Sequence, residues 1–145
     1  MAYTFQVTID SASPHDLADW WADALGWEVE PSDEAFIRGL IAAGHAAEDD
    51  TTTHHGELVW KAGAAIRHPE GPERAPRVLF QFVPEPKTVK NRVHLDVRTG
   101  PDEDHKSVVE RLLAKGATFL HDGHQGPSVW TTIADPQGNE ICISN

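Results

Sequence analysis

The run Arg92-Val93-His94-Leu95-Asp96-Val97, with the helical segment and glycine that follow it, decides the fold. Val93, Leu95 and Val97 alternate with His94 and Asp96, the period-two pattern of a strand with one packed face. Asp102 or Glu103 opens a helix reaching Lys115, with Val108, Val109, Leu112 and Leu113 as its apolar side. Gly116 is the expected cap, and residues 117–121 the next strand. The same order of strand, helix, glycine and strand occurs earlier, at residues 5–10, 14–25, 26 and 27–30. Ser13-Pro14 starts that helix, and Leu17, Trp21, Ala24 and Leu25 form its stripe. Gln6 precedes its glycine by 20 positions and His94 precedes its own by 22. Further strands are expected at 57–60, 64–67 and 77–83 in the first half, and at 128–133 and 140–144 in the second. The chain thus reads as an internal duplication. The expected fold class is α+β: two tandem βαβββ modules, residues 1–86 and 91–145, within a single domain. They form a curved mixed sheet around a cavity, with the helices outside. The first module carries an extra weakly helical stretch at 33–43 and a polar loop at 44–56.

Composition narrows the function classes. A chain of 145 residues with 39% hydrophobic residues can bury a real core. Its formal net charge of −11 argues against nucleic acid, whose phosphates call for clustered Lys and Arg, and against anionic membranes. No apolar run approaches the ~20 residues that span a bilayer. The single cysteine, Cys142, has no partner for an internal disulfide, which suits a reducing compartment. With no signal-like start at residues 1–6, a cytoplasmic location is expected. Walker, GxGxxG, HExxH and CxxC patterns are missing.

Four strands carry a polar group at comparable depth on the face away from the helices: Gln6, Gln81, His94 and Glu140. An imidazole and a carboxylate suit a first-row divalent ion, and an ordinary solvated sheet face accounts for the same residues. Thr8, Asp10 and Asp96 share that face, and Cys142 lies inward beside Glu140. Trp60 and Trp130 sit on strands expected to border the cavity, where aromatic walls with a few polar groups mark small-molecule pockets. The expected pocket is therefore Thr8, Trp60, Gln81, Asp96, Trp130 and Cys142. His54-His55, with His45 nearby, could suggest a second metal cluster, but the loop-forming neighbours favour a solvated loop, and His121 and His124 read the same way in a turn around Asp122-Gly123.

Three segments resemble the glyoxalase-like branch of the vicinal oxygen chelate superfamily. They are residues 92–97, the ending Asp135-Pro136-Gln137-Gly138-Asn139-Glu140-Ile141-Cys142, and the first helix, where an aromatic precedes a Leu-Gly stop. The resemblance implies a divalent metal (Zn, Ni, Mn or Fe), or none, held at Gln6, Gln81, His94 and Glu140. It also implies a small organic molecule as ligand and a homodimer. Where the family's metal-dependent isomerases usually carry Glu, this chain has Gln81, which removes an anionic ligand and a base. Only Glu140 is left for a catalytic role, so glyoxalase I chemistry is not expected. The expectation is a binding protein or enzyme (isomerase, lyase or dioxygenase) with a degenerate metal site. The alternative is a non-enzymatic protein of the bleomycin-resistance type that sequesters a drug or metabolite.

Overall fold

The computed structural model describes residues 1–145. It holds two compact units, Met1–Glu85 and Pro86–Asn145. Each contains its own four-stranded mixed sheet, and neither sheet closes into a barrel.

The first unit runs β1 (Val7–Ser11), α1 (Pro14–Leu25), β2 (Glu28–Val29), α2 (Glu34–Ala42), a 3-10 turn (Glu48–Asp50), β3 (Thr51–His54), β4 (Glu57–Trp60), β5 (Gly63–Arg67) and β6 (Val78–Phe82). Its main sheet is ordered β1-β6-β5-β2, with β1 parallel to β6. Pro14 pre-sets the backbone at the first turn of α1, and Gly26 stops the helix in the left-handed region at φ 68. Between them Leu17, Ala18, Trp21 and Ala22 are buried, with the Trp21 ring 6.2 Å from that of Phe80 on β6. Leu17, Ile66 and Phe80 are almost fully covered, worth about 1.5–3 kcal/mol each on transfer from water.

Part of the expected 44–56 loop is ordered. Residues Thr51–His54 pair antiparallel with Glu57–Trp60 to give a separate two-stranded sheet. His55 and Gly56 make its two-residue turn at φ 48 and φ 80. Positive φ at both central residues matches the right-handed twist of the flanking strands.

The second unit runs β7 (Leu95–Arg98), α3 (His105–Ala114), β8 (Thr118–Gln125), β9 (Ser128–Ala134) and β10 (Glu140–Ser144). The sheet order is β7-β10-β9-β8, with β7 parallel to β10. Helix α3 starts later than expected because Asp104 takes the cap, its carboxylate accepting from the Ser107 N–H at 3.3 Å. Val108, Val109 and Leu112 are its buried apolar residues, and it packs on β9 and β10, where Ile133, Ile141 and Ile143 are buried. Strand β8 continues to Gln125, so His121 and His124 lie in a strand, not a turn. The turn comes at Gly126-Pro127, where Gly126 supplies φ 56.

The segment Asp135–Asn139 closes on one buried side chain. The Asp135 carboxylate accepts from the backbone N–H of Gln137 at 2.8 Å and of Asn139 at 3.0 Å, and from Asn139 Nδ2 at 2.8 Å. Gly138, at φ 89, lets the chain return to β10.

Candidate functional site

In the second unit, alternation along β7, β9 and β10 places one set of side chains away from α3. Cys142 is in register with Asp96 on one side and Thr132 on the other. Its Sγ lies 3.4 Å from Thr132 Oγ1. His94, just before β7, brings Nδ1 to 3.2 Å from Asp96 Oδ1. His94, Asp96 and Cys142 together hold three ligand-type atoms within 4.8 Å of one another. Trp130 is opposite Gly123, and a Cβ on Gly123 would come within 2.4 Å of the indole. The indole therefore lies against the bare backbone of β8, which only glycine permits. Three of the expected pocket residues, Asp96, Trp130 and Cys142, are thus grouped on one sheet together with His94.

Glu140 starts β10 at the level of His94. Its side chain is 11% exposed and its Oε1 is 2.9 Å from Lys87 Nζ. Oε2 accepts from the Asn91 N–H at 3.2 Å. Burial pushes the carboxyl up, but it is outweighed by the Lys87 hydrogen bond, the N–H groups of Glu140 itself and Asn91, and the Lys87 charge. The group ends below the ordinary carboxylate range. Asn91 also donates from Nδ2 to Asn139 Oδ1 at 2.9 Å. The Asp135 turn therefore positions Asn139, which positions Asn91, which fixes Glu140. As it stands, Glu140 is an ionised acceptor already matched to an ammonium.

The first unit arranges its expected ligands otherwise. Gln6 Oε1 accepts from Arg77 Nη1 at 2.9 Å, and Arg77 Nε lies 2.7 Å from Glu30 Oε1. Gln81 is in register with Asp10, four residues along from Gln6. At ~3.3 Å per residue the two glutamines stand about 13 Å apart along the strands. Side chains rise roughly perpendicular to a sheet, so Gln6 and Gln81 do not share a coordination site. Of the expected metal set, the two first-unit members stand on different levels of their sheet, and a guanidinium and an ammonium engage Gln6 and Glu140. Thr8 and Gln81 are exposed on the main sheet. Trp60 belongs instead to the β3–β4 sheet, where it borders a cleft of about 440 Å³ with Leu40, Asp50, Lys61 and Phe82.

Sequence reasoning did not single out Arg77, Lys87 or Asn91. Their signal was weak: Lys87 follows Pro84-Glu85-Pro86, a stretch that looks like mere punctuation. A second group of ligand-type atoms joins His54 and His55 of the loop histidines to Asp19, which the sequence did not single out. No helix is long and apolar enough to cross a membrane.

Several solved structures share this architecture. A glyoxalase family protein from Bacillus cereus is 15% identical with a TM-score of 0.60, over 99% of this chain and 93% of that one. The trypanothione-dependent glyoxalase I of Leishmania major is 13% identical with a TM-score of 0.59, over 100% of this chain and 87% of that one. A bleomycin resistance determinant encoded on transposon Tn5 is 10% identical with a TM-score of 0.55, over 99% of this chain and 98% of that one. At such identities the likeness is one of fold. No curated protein matches the sequence. A family model described as a glyoxalase-like domain matches residues 6–144. The chain belongs to the glyoxalase-like domain family.

Proposed function

We propose that the protein binds a small organic molecule on the open face of its second sheet, against Trp130, with Asp96, His94 and Cys142 as polar contacts. In this reading it sequesters the ligand and does not perform glyoxalase I chemistry. The observation that carries it is the state of Glu140. Glu140, the carboxylate level with His94, is ion-paired to Lys87 and held below the ordinary range, which makes it a poor base near neutral pH. Beside it, an aromatic surface with a few convergent polar groups is the usual composition of a small-molecule site. Asp96 and the net charge of −11 favour a cationic or hydrogen-bond-donating ligand. A homodimer and a cytoplasmic location belong to the same proposal, and light scattering reads the first directly.

A fluorescence titration against a panel of small aromatic cations tests the reading. Saturable quenching that is lost in Trp130→Phe supports it. Quenching that survives Trp130→Phe but disappears in Trp60→Phe moves the ligand to the cleft beside β4 and overturns it. A stoichiometric divalent ion lost in His94→Ala also overturns it, in favour of a metal-dependent enzyme.

A further inference from the structure

We propose that Asp19, His54 and His55 form a binding site for one divalent transition-metal ion of the zinc class, clipping the β3–β4 hairpin to helix α1. The site lies wholly within the first unit, and none of its residues belongs to the expected metal set.

The geometry is specific. His54 Nε2 and His55 Nε2 each lie 2.7 Å from the same oxygen, Asp19 Oδ2. All three ligand atoms fall within 4.8 Å of one another. Without a metal, both imidazoles must donate an N–H to a single carboxylate oxygen while their ring centroids sit 4.0 Å apart. An ion satisfies the same three groups better. Each Nε2 then presents its lone pair and the carboxylate supplies an anionic oxygen; the two 2.7 Å N···O contacts need open only to roughly 3.3 Å, the ligand separation set by tetrahedral Zn–N and Zn–O bonds of about 2.0–2.1 Å. Two imidazoles and a carboxylate are also the donor types that first-row ions from cobalt to zinc accept.

The surroundings fit a ligand role for His54. Its Nδ1 is 3.8 Å from Asp16 Oδ1, one turn before Asp19 on α1. At that distance Asp16 is an electrostatic neighbour that adds negative charge beside the site, not a hydrogen-bond partner of the ring. Its ring also packs on His15 at 5.1 Å, and His15 Nε2 is itself bonded to the Trp60 carbonyl at 2.8 Å. His15 thus braces the cluster without being a ligand. The third ligand is delivered by the hairpin turn: His55 sits at φ 48, a conformation that side-chain-bearing residues rarely adopt. In this turn the ordinary choice is Asn or Asp before the glycine, and His puts an imidazole there instead. Exposure of 19% for His54, 36% for Asp19 and 74% for His55 describes a shallow site with room for a water as the fourth ligand.

The consequence for the first unit is mechanical. The hairpin carries Trp60 on β4, which borders the cleft formed with Leu40, Asp50 and Phe82. An ion joining the turn to α1 fixes that wall in place.

The test uses full-length protein purified without a histidine tag and stripped with chelator. Zinc is titrated by calorimetry, and cobalt substitution is followed by its visible d–d spectrum. The expected result is one ion per chain with a tetrahedral cobalt spectrum. Affinity should fall at least tenfold in His55→Gly, a change that suits the positive φ and leaves the fold intact, and should be unchanged in His94→Ala. Thermal stabilisation by zinc should disappear in His55→Gly. Failure to bind zinc, equal affinity in His55→Gly, or loss of binding in His94→Ala overturns the proposal. The His94→Ala arm separates this site from the open face of the second sheet.

Discussion

The two units use one scaffold, a parallel strand pair flanked by a helix, and fill its polar end differently. In the first, Val7 opens the pairing opposite Val78, so the preceding Gln6 stands level with Arg77. In the second, Leu95 is opposite Ile141, so the preceding His94 stands level with Glu140. Gln6 and His94 are therefore counterparts, as are Arg77 and Glu140. The counterpart of Gln81 is Ser144, not Glu140. The first unit has turned this level into a cation held by Glu30 and an amide. The second has an imidazole and a carboxylate at this level, with the Cys142 thiol two residues further along, and it neutralises that carboxylate with Lys87. The difference teaches that a duplicated backbone need not preserve a shared site, because one register position decides which residue faces which.

The largest effect should come from the turn that only the second unit has. Asp135→Ala removes a 2%-exposed carboxylate that accepts three hydrogen bonds. It should cost about 3 kcal/mol in urea unfolding, because charged acceptors contribute most and the stranded donors are left unpaired. Next, Gly123→Ala drives a methyl into the Trp130 ring. It should cost about 1–3 kcal/mol, as overpacking does, and shift Trp130 fluorescence. If fluorescence and stability are both unchanged, the indole does not lie on β8.

Lys87→Met should cost about 1–2 kcal/mol near pH 7, the scale of a charge-assisted hydrogen bond with little exposure. Glu140 is held below its ordinary range in the folded state, so this stability is present above the unfolded carboxylate range and is lost as pH falls through the folded value. The gap between wild type and Lys87→Met should therefore close on acidification, and a gap independent of pH would contradict the ion pair. The smallest effect is expected from the first unit's equivalent. Arg77→Met should cost under about 1 kcal/mol, because both partners are partly solvated, at 40% and 28% exposure. An Arg77→Met effect larger than that of Lys87→Met would erase the contrast between the units.

What the sequence made legible follows from distance along the chain. Helices α1 and α3 and the strands beside them declare themselves through local period and through Pro14, Gly26 and Gly116. The Asp135–Asn139 turn is legible for the same reason, since its bonds join neighbours. Strand β3 was not legible: Thr51 to Thr53 lack apolar alternation, and His55-Gly56 lacks the Asn-Gly signature of its turn. The pairing of β1 with β6 was not legible either, because a parallel register between distant segments leaves no local trace. The residue types near the site were anticipated, and the four-residue offset that separates Gln81 from Gln6 was not.

The contact between Trp130 and Gly123 has a consequence for binding entropy. A large side chain pressed onto bare backbone has already surrendered its rotamers. A guest that stacks there meets a surface whose ordering was completed during folding, and is spared the ~0.5–1.5 kcal/mol that immobilising a mobile side chain costs. Affinity at this face should therefore respond to the rigidity of residue 123 as strongly as to the chemistry of the indole.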